Sequence, residues 1–432
     1  MIMTRRFRLC VASLCGLSLF AAIHGDWTPD ARGFLGLWAL LVFAYLAVLR
    51  TAFDVRGERF VPAPRDIKWA LALLLLTRVV MAFGEPLMSD DVYRSVWEGR
   101  VQRASGNPFA WEDRPEAEKW TALRDAYVYP RINHPDYAAI YPPAWQWAMR
   151  AVNGIWDSVT AVKLFLVACE GLLWMGLFKL LQSRQLPVAR VLITAASPLA
   201  LVEIAGSGHN EGMGMAALVW TLVALERNRT SLAALALALA TLSKLAPALF
   251  ALPWLRRFRA RDYGLMVGVG LLLTSPFIEP TALLSLGKYG ELWRFNETLF
   301  ALTAWLGGSH QAGVGLSALL LAGLGLSLAR QGNDVVTTGL RMSLALLLLV
   351  PNVLPWYALW LLVFLPIGGR SPTAVAAFTF TLTVPLSYLV YPAFLSGGAW
   401  YLPWPVRLVE YGLPLLVGLI VWRRSVNIHP SK

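Results

Sequence analysis

The chain has 432 residues, of which 57% are hydrophobic and 15% charged, with a mean hydropathy of +0.55. Soluble domains are roughly 45–50% apolar and about 25% charged, so the surplus apolar surface faces lipid, which excludes a soluble enzyme, a disordered scaffold, a collagen and a disulfide-stapled secreted domain. The net charge of +12 punctuates apolar runs instead of forming a stripe or an arm, which points to a polytopic membrane protein and away from nucleic acid.

A membrane-crossing helix takes about 20 mostly apolar residues. Candidate runs lie near 9–25, 33–49 and 67–84, so 1–84 reads as an N-terminal helical unit. Arg5, Arg6 and Arg8 precede the first run as in a signal peptide, but no small-x-small cleavage site follows, and the run reads as an anchor. Residues 85–158 carry acids, prolines and aromatics and read as an extracytoplasmic loop with helices in the interface. One of these covers 141–156, with Trp145, Trp147 and Trp156 as interfacial anchors. From 159 to 432 further runs follow near 159–181, 189–205, 212–226, 231–243, 246–255, 263–279, 311–329, 335–350, 355–367, 373–391 and 405–422. The pair 231–243 and 246–255, joined at Lys244, suits a broken or re-entrant hairpin. The expected fold is an all-α polytopic membrane protein, a bundle of about 12–14 transmembrane helices. Cys10, Cys15 and Cys169 lie in apolar runs without metal-ligand spacing and read as small core residues.

A cytoplasmic N-terminus places most lysines and arginines inside, including Arg5, Arg6 and Arg8; Arg50, Arg56 and Arg59; Arg256, Arg257, Arg259 and Arg261; and Arg423, Arg424 and Lys432. Both termini then face the cytoplasm. The long segment 85–158 keeps its own basic residues, as long loops escape the charge rule. The expected setting is a bacterial inner membrane, with the chemistry facing outside.

The most informative stretch is Ser89-Asp90-Asp91-Val92-Tyr93-Arg94, directly after a span. Two carboxylates in one site repel, which raises one pKa and suits general-base work. The bland alternative is a helix N-terminus capped by Ser89. A second cluster is Gly206-Ser207-Gly208-His209-Asn210-Glu211-Gly212. His-x-Glu supplies too few ligands for zinc, and hydrogen bonding to sugar hydroxyls is the other functional use. Lys244, between two apolar stretches, needs a partner or snorkels. Tyr289, Trp293, Arg294, Asn296 and Glu297, then Pro355-Trp356-Tyr357, place aromatics beside amide and guanidinium groups, which suits sugar and phosphate or the interfacial belt.

Asp90-Asp91-Val92-Tyr93, followed by Trp97-Glu98-Gly99-Arg100 and Asn107-Pro108, resembles the first-loop signature of GT-C membrane glycosyltransferases. The nearest branch is glycosyltransferase family 87 and related bacterial mannosyltransferases; the pattern is also similar to the catalytic subunit of the eukaryotic GPI mannosyltransferase I. Tyr141-Pro142-Pro143, Gly208-His209-Asn210-Glu211, Lys244-Leu245-Ala246-Pro247, Trp293-Arg294-Phe295-Asn296 and Pro355-Trp356-Tyr357 match the same branch in order, over about 85 to 365. The resemblance implies transfer of a sugar, with mannose favoured, from a polyprenyl-phosphate carrier to a lipid or glycan acceptor at the outer face. It implies Asp90 or Asp91 as the base. The eukaryotic relatives carry Asp-x-Asp where these acids are adjacent, which leaves the choice open and weakens metal binding by analogy. No cofactor follows, and a divalent metal is left open.

A departing polyprenyl phosphate needs cations preorganised beside lipid, for which Lys244 and Arg294 are the candidates, assisted by Arg94 or Arg100. Asn107, Tyr141, His209, Asn210, Glu211, Asn296, Trp356 and Tyr357 complete the expected substrate contacts. In-line attack would invert the anomeric centre. No glycine-rich loop for a nucleotide sugar is present, which favours a lipid-linked donor. The competing class is a transporter or flippase of lipid-linked saccharides, which predicts cations along a mid-membrane cavity and two repeated halves. No such repeat is visible, and the polar residues gather at the outer rim.

Overall fold

Backbone polar groups inside lipid find partners only within helices or a closed barrel, and this chain takes the helical solution. The computed structural model describes residues 2–53 and 63–428; Arg56, Arg59 and Lys432 lie outside them. Among the described residues there are no strands, and an isolated bridge pairs Phe295 with Asn352. The order begins α1 (Ile2–His24), α2 (Ala31–Ala52), α3 (Pro64–Ala82), α4 (Asp91–Arg103), α5 (Pro143–Ile155) and α6 (Val159–Ser183). A bent segment follows, Val188–Ala195 and Pro198–Gly206, here α7. Then come α8 (Glu211–Glu226), α9 (Thr230–Ser243), α10 (Ala260–Thr274), α11 (Leu284–Leu292), α12 (Leu299–Gly307), α13 (His310–Gln331) and α14 (Val335–Leu349). The last are α15 (Pro355–Phe364), α16 (Pro372–Leu395) and α17 (Trp404–Ile428).

Six helices among the described residues are long and apolar enough to cross a membrane: Thr4–His24, Thr28–Ala52, Val159–Ser183, His310–Gln331, Pro372–Leu395 and Trp404–Ser425. The two halves of α7, bent by 50°, make a seventh when taken as one span. The protein is therefore an integral, multi-pass membrane protein. Large apolar side chains lie exposed on the outside of the bundle, such as Phe43 (74%), Leu272 (70%) and Leu319 (70%), where lipid replaces water.

The number of full-length spans is smaller than the count of apolar runs, for two physical reasons. Helices α8, α9, α10 and α14 have 16, 14, 15 and 15 residues, about 20–24 Å of rise against a core of about 30 Å. The run at 246–255 holds Pro247 and Pro253 and forms short 3₁₀ turns instead of an α-helix. Helix α1 packs into the bundle: Phe7, Val11 and Leu14 are fully buried, and Arg8 pairs with Asp66 of α3 at 2.6 Å. Trp145 corrects the interfacial reading, because it is fully buried while Trp156 stays half exposed. Helix α5 packs flat on α4 and turns Trp145 inward. Gly99 permits this approach, since a Cβ there would meet the Met149 carbonyl oxygen at 2.8 Å.

The bundle has two distinct ends. At one, Trp27 N–H donates to the Leu87 carbonyl at 2.8 Å, and Ser207 Oγ lies 3.3 Å from the Met88 N–H. The Phe295–Asn352 bridge lies at this end as well. At the other, Arg184 joins Glu226 and Asp334, tying the ends of α6, α8 and α14. The acidic pair sits at the first end.

Candidate active site

Helix α4 begins at Asp91, with Asp90 at its N-cap position. Asp90 makes no side-chain capping bond to the helix; Ser89 Oγ instead accepts from the Asp91 N–H at 3.3 Å. Both carboxylates turn to Asn133, whose Nδ2 donates to Asp90 Oδ1 at 2.8 Å and Asp91 Oδ1 at 2.6 Å. The Tyr141 hydroxyl donates to Asp91 Oδ2 at 3.0 Å. Burial, followed by the Asp91 charge, holds the Tyr141 phenol well above its ordinary value, so it acts as a donor. Asp90 remains reachable by solvent, yet the protein crowded around it and the Asp91 charge push its carboxyl up to about 6, against the smaller opposing effect of Asn133. A carboxylate of that basicity is poised near neutral pH.

Behind Asp91 stands His209, with Nδ1 3.7 Å from Asp91 Oδ2 and Nε2 3.5 Å from Glu203 Oε2. Its ring stacks on Trp356 at 3.8 Å and 19°. Glu203 accepts from the Tyr388 hydroxyl at 2.7 Å. The last turn of α7, Leu201–Gly206, is π-helical, a local widening often found at functional sites. Gly208 turns the chain with φ +84, and a Cβ there would meet Val92 of α4 at 2.8 Å. Only glycine lets His209 come this close to the head of α4.

On the far side of Tyr141 lies Lys244. Its ammonium is 2.5 Å from Glu211 Oε1 and 3.1 Å from Asn210 Oδ1, over the rings of Tyr141 (5.1 Å) and Tyr357 (5.3 Å). The Tyr357 hydroxyl shares a 2.8 Å bond with Tyr289, which accepts from Asn352 at 2.7 Å. One polar patch thus gathers Asp90, Asp91, Tyr141, His209, Asn210, Glu211, Lys244, Trp356 and Tyr357 from five regions of the sequence.

The remaining expected residues are engaged elsewhere. Arg94 is buried, pairs with Glu98 at 3.0 Å, and donates to the carbonyls of Asn133, His134, Tyr137 and Ala138. Arg100 holds Asp125 (2.7 Å) and Asp157 (2.9 Å). Asn107 bonds the Phe277 carbonyl and the Phe109 N–H. Arg294 pairs with Glu297 at 3.0 Å, and Asn296 is buried against Glu410 at 2.7 Å. Each of these five side chains has a partner outside the acidic pair, and Arg294 is 44% exposed.

Sequence reasoning passed over Asn133, Glu203, Tyr388 and Asn352. Glu203 sits in an apolar run where a charge needs a reason, a usable signal. Asn133 carries none, because only the Arg94 grip on its loop brings it to the aspartates. Among the described residues no three His, Cys, Asp or Glu side chains gather around a common point. Asp91 and Glu203 approach opposite edges of the His209 ring instead, so this donor set does not fit a metal ion.

Residues 11–261 match the family model of the MptA_B family, described as alpha-(1->6)-mannopyranosyltransferase, N-terminal domain. No curated protein and no solved structure matches the chain. The matched stretch covers more than half of the chain and includes Asp90, Asp91, Tyr141, His209 and Lys244, and the protein accordingly belongs to the alpha-(1->6)-mannopyranosyltransferase family of GT-C-type membrane glycosyltransferases.

Proposed function

We propose that the protein moves mannose from a polyprenyl-phosphate carrier to a hydroxyl of a lipid or glycan acceptor at the extracytoplasmic face, with Asp90 as general base. The observation that carries this reading is the state of the Asp90 carboxylate. It is spent on no helix cap, its Oδ2 has no hydrogen-bond donor among the described residues, and it sits beside a second acid that raises its basicity. Asp91 has both oxygens engaged and serves as the positioning acid.

In the step proposed, Asp90 takes the proton of the acceptor hydroxyl as its oxygen bonds the anomeric carbon. The bond from that carbon to the phosphate oxygen breaks, its electron pair leaves with polyprenyl phosphate, and Asp90 later returns the proton to solvent. A single displacement inverts the anomeric centre, so an α-(1→6) product, the linkage in the family description, requires a β-linked donor and a primary 6-hydroxyl. Lys244 is the cation assigned to the departing phosphate: paired with Glu211, it stands over the ring of Tyr141, which donates to Asp91, whereas Arg94, Arg100 and Arg294 pair with Glu98, Asp125 and Glu297. Tyr141 and Tyr357 shield that charge from water, which strengthens its action on a developing anion.

The test is transfer of radiolabelled mannose by the purified full chain. Polyprenyl-phosphate mannose should serve as donor, with an α-(1→6) product that Asp90→Asn fails to form. Equal transfer directly from a nucleotide sugar without a lipid carrier overturns the donor assignment.

A further inference from the structure

At the end of the bundle away from Asp90 lies an apolar cavity of about 730 Å³ between α2, α7 and the chain leaving α15. Phe43, Leu46, Ile193 and Leu365 line its body, and Arg50, Arg190 and Arg370 stand in its wall. Phe43 and Leu46 are 74% and 42% exposed, so the cavity opens toward lipid. Each arginine is reached by a segment that starts or ends at the catalytic side. Helix α2 begins beside Trp27, whose N–H meets the Leu87 carbonyl, and has Arg50 in its last turn. Helix α7 runs from beside Arg190 to Gly206, three residues before His209, and α15 leads from Trp356 toward Arg370. The 22 residues of α2 rise about 33 Å, enough to cross a hydrocarbon core of about 30 Å. Arg50 therefore meets the membrane surface opposite the acidic pair, and Arg190 and Arg370 line the same cavity.

Charge decides what the cavity takes. Its lining holds three guanidinium groups and no carboxylate among the described residues, and Arg190 and Arg370 lie close enough for their charges to act on each other. Two other arginines at this end are balanced: Arg8 by Asp66, and Arg184 by Glu226 and Asp334. Like charges that converge with no acid among the described residues suit an anion, and guanidinium forks match phosphate oxygens. A free anion would leave the apolar body unfilled, whereas a lipid fills both parts.

We propose that this groove binds an anionic glycerophospholipid of the surrounding membrane, with an acyl chain along Phe43, Leu46, Ile193 and Leu365 and the phosphate among Arg50, Arg190 and Arg370. The site is separate from the transfer reaction and does not depend on which donor the enzyme uses.

The experiment places the full chain in phosphatidylcholine bicelles containing a minor share of phosphatidylglycerol, with a photoreactive acyl chain on one lipid or the other. Phosphatidylglycerol should label peptides containing Phe43–Phe53 or 365–370 in preference to phosphatidylcholine. Each arginine exchanged for glutamine should lower that preference roughly fivefold, and the triple variant R50Q/R190Q/R370Q should abolish it while mannosyl transfer and thermal unfolding stay near wild type. Inorganic phosphate should not compete at millimolar levels, since it supplies no chain. Equal labelling by both lipids, an unchanged triple variant, or stronger protection by polyprenyl phosphate overturns the proposal. So does the absence of any label at the groove, which would mean that another part of this chain closes it.

Discussion

The side-chain amide of Asn133 donates to Oδ1 of Asp91 at 2.6 Å, and the same nitrogen reaches Asp90 at 2.8 Å. One donor thereby holds two like charges side by side. Its position is fixed at a distance by Arg94, buried beneath the loop, whose guanidinium collects the carbonyls of Asn133, His134, Tyr137 and Ala138. The geometry of the acidic pair thus depends on a cation that does not face it.

Replacing each aspartate by asparagine separates their roles. Asp90→Asn should lower turnover by about 10²–10⁴-fold, the usual loss for a general base, with donor binding near wild type. Asp91→Asn should be milder and should move the pH profile. A base works deprotonated, so activity is present above its pKa and is lost as pH falls through about 6. Removing the neighbouring charge lowers that pKa, and the acid limb of kcat/KM should shift to lower pH. A limb that stays in place counts against Asp90 as the base.

Asn133→Ala predicts the opposite sign. The Asn133 hydrogen bond favours the charged form of Asp90, so its loss should raise the pKa and move the acid limb upward. The same rate measurements across pH detect it, and parallel shifts in Asp91→Asn and Asn133→Ala would contradict this account.

Lys244→Met keeps the chain length and removes the charge near the proposed phosphate. The Michaelis constant for the lipid donor should rise at least tenfold, on the order of one charge-assisted hydrogen bond, while Lys244→Arg should recover part of the loss. Unchanged donor kinetics would reduce Lys244 to the partner of Glu211.

Arg94 and Arg100 should separate on stability. Arg94→Met leaves buried Glu98 without its partner and frees four carbonyls, a cost of about 3–5 kcal/mol. Arg100→Met loses pairs with the partly exposed Asp125 and Asp157 and should cost within about 1 kcal/mol. Thermal unfolding in detergent reads both.

Orientation is tested by labelling. Glu118→Cys, in the loop layer, should react with an impermeant thiol reagent from outside, and Arg257→Cys only after permeabilisation. The reverse pattern would put the acidic pair on the cytoplasmic side and remove the extracytoplasmic reaction.

Membrane class and helical architecture were legible in the sequence, because lipid leaves the backbone almost no choice and composition reports the burden directly. The patch around Asp90, Asp91, His209 and Lys244 was partly legible too. Polar residues that interrupt apolar runs are costly and stand out against them. Tertiary structure decided what distant chain segments do to one another. It turned Trp145 into the core, bound Arg94 and Arg100 to structural partners, and carried Asn133 to the acids. It also split the apolar runs into full spans and short helices, since prolines and helix ends set rise across the bilayer and hydropathy does not. Arg50, Arg190 and Arg370 lie far apart in sequence and line one cavity only because α2, α7 and the chain leaving α15 pack together. A single residue's cost in lipid can be read from its type and neighbours, but its partner comes from packing over distances that no local pattern encodes.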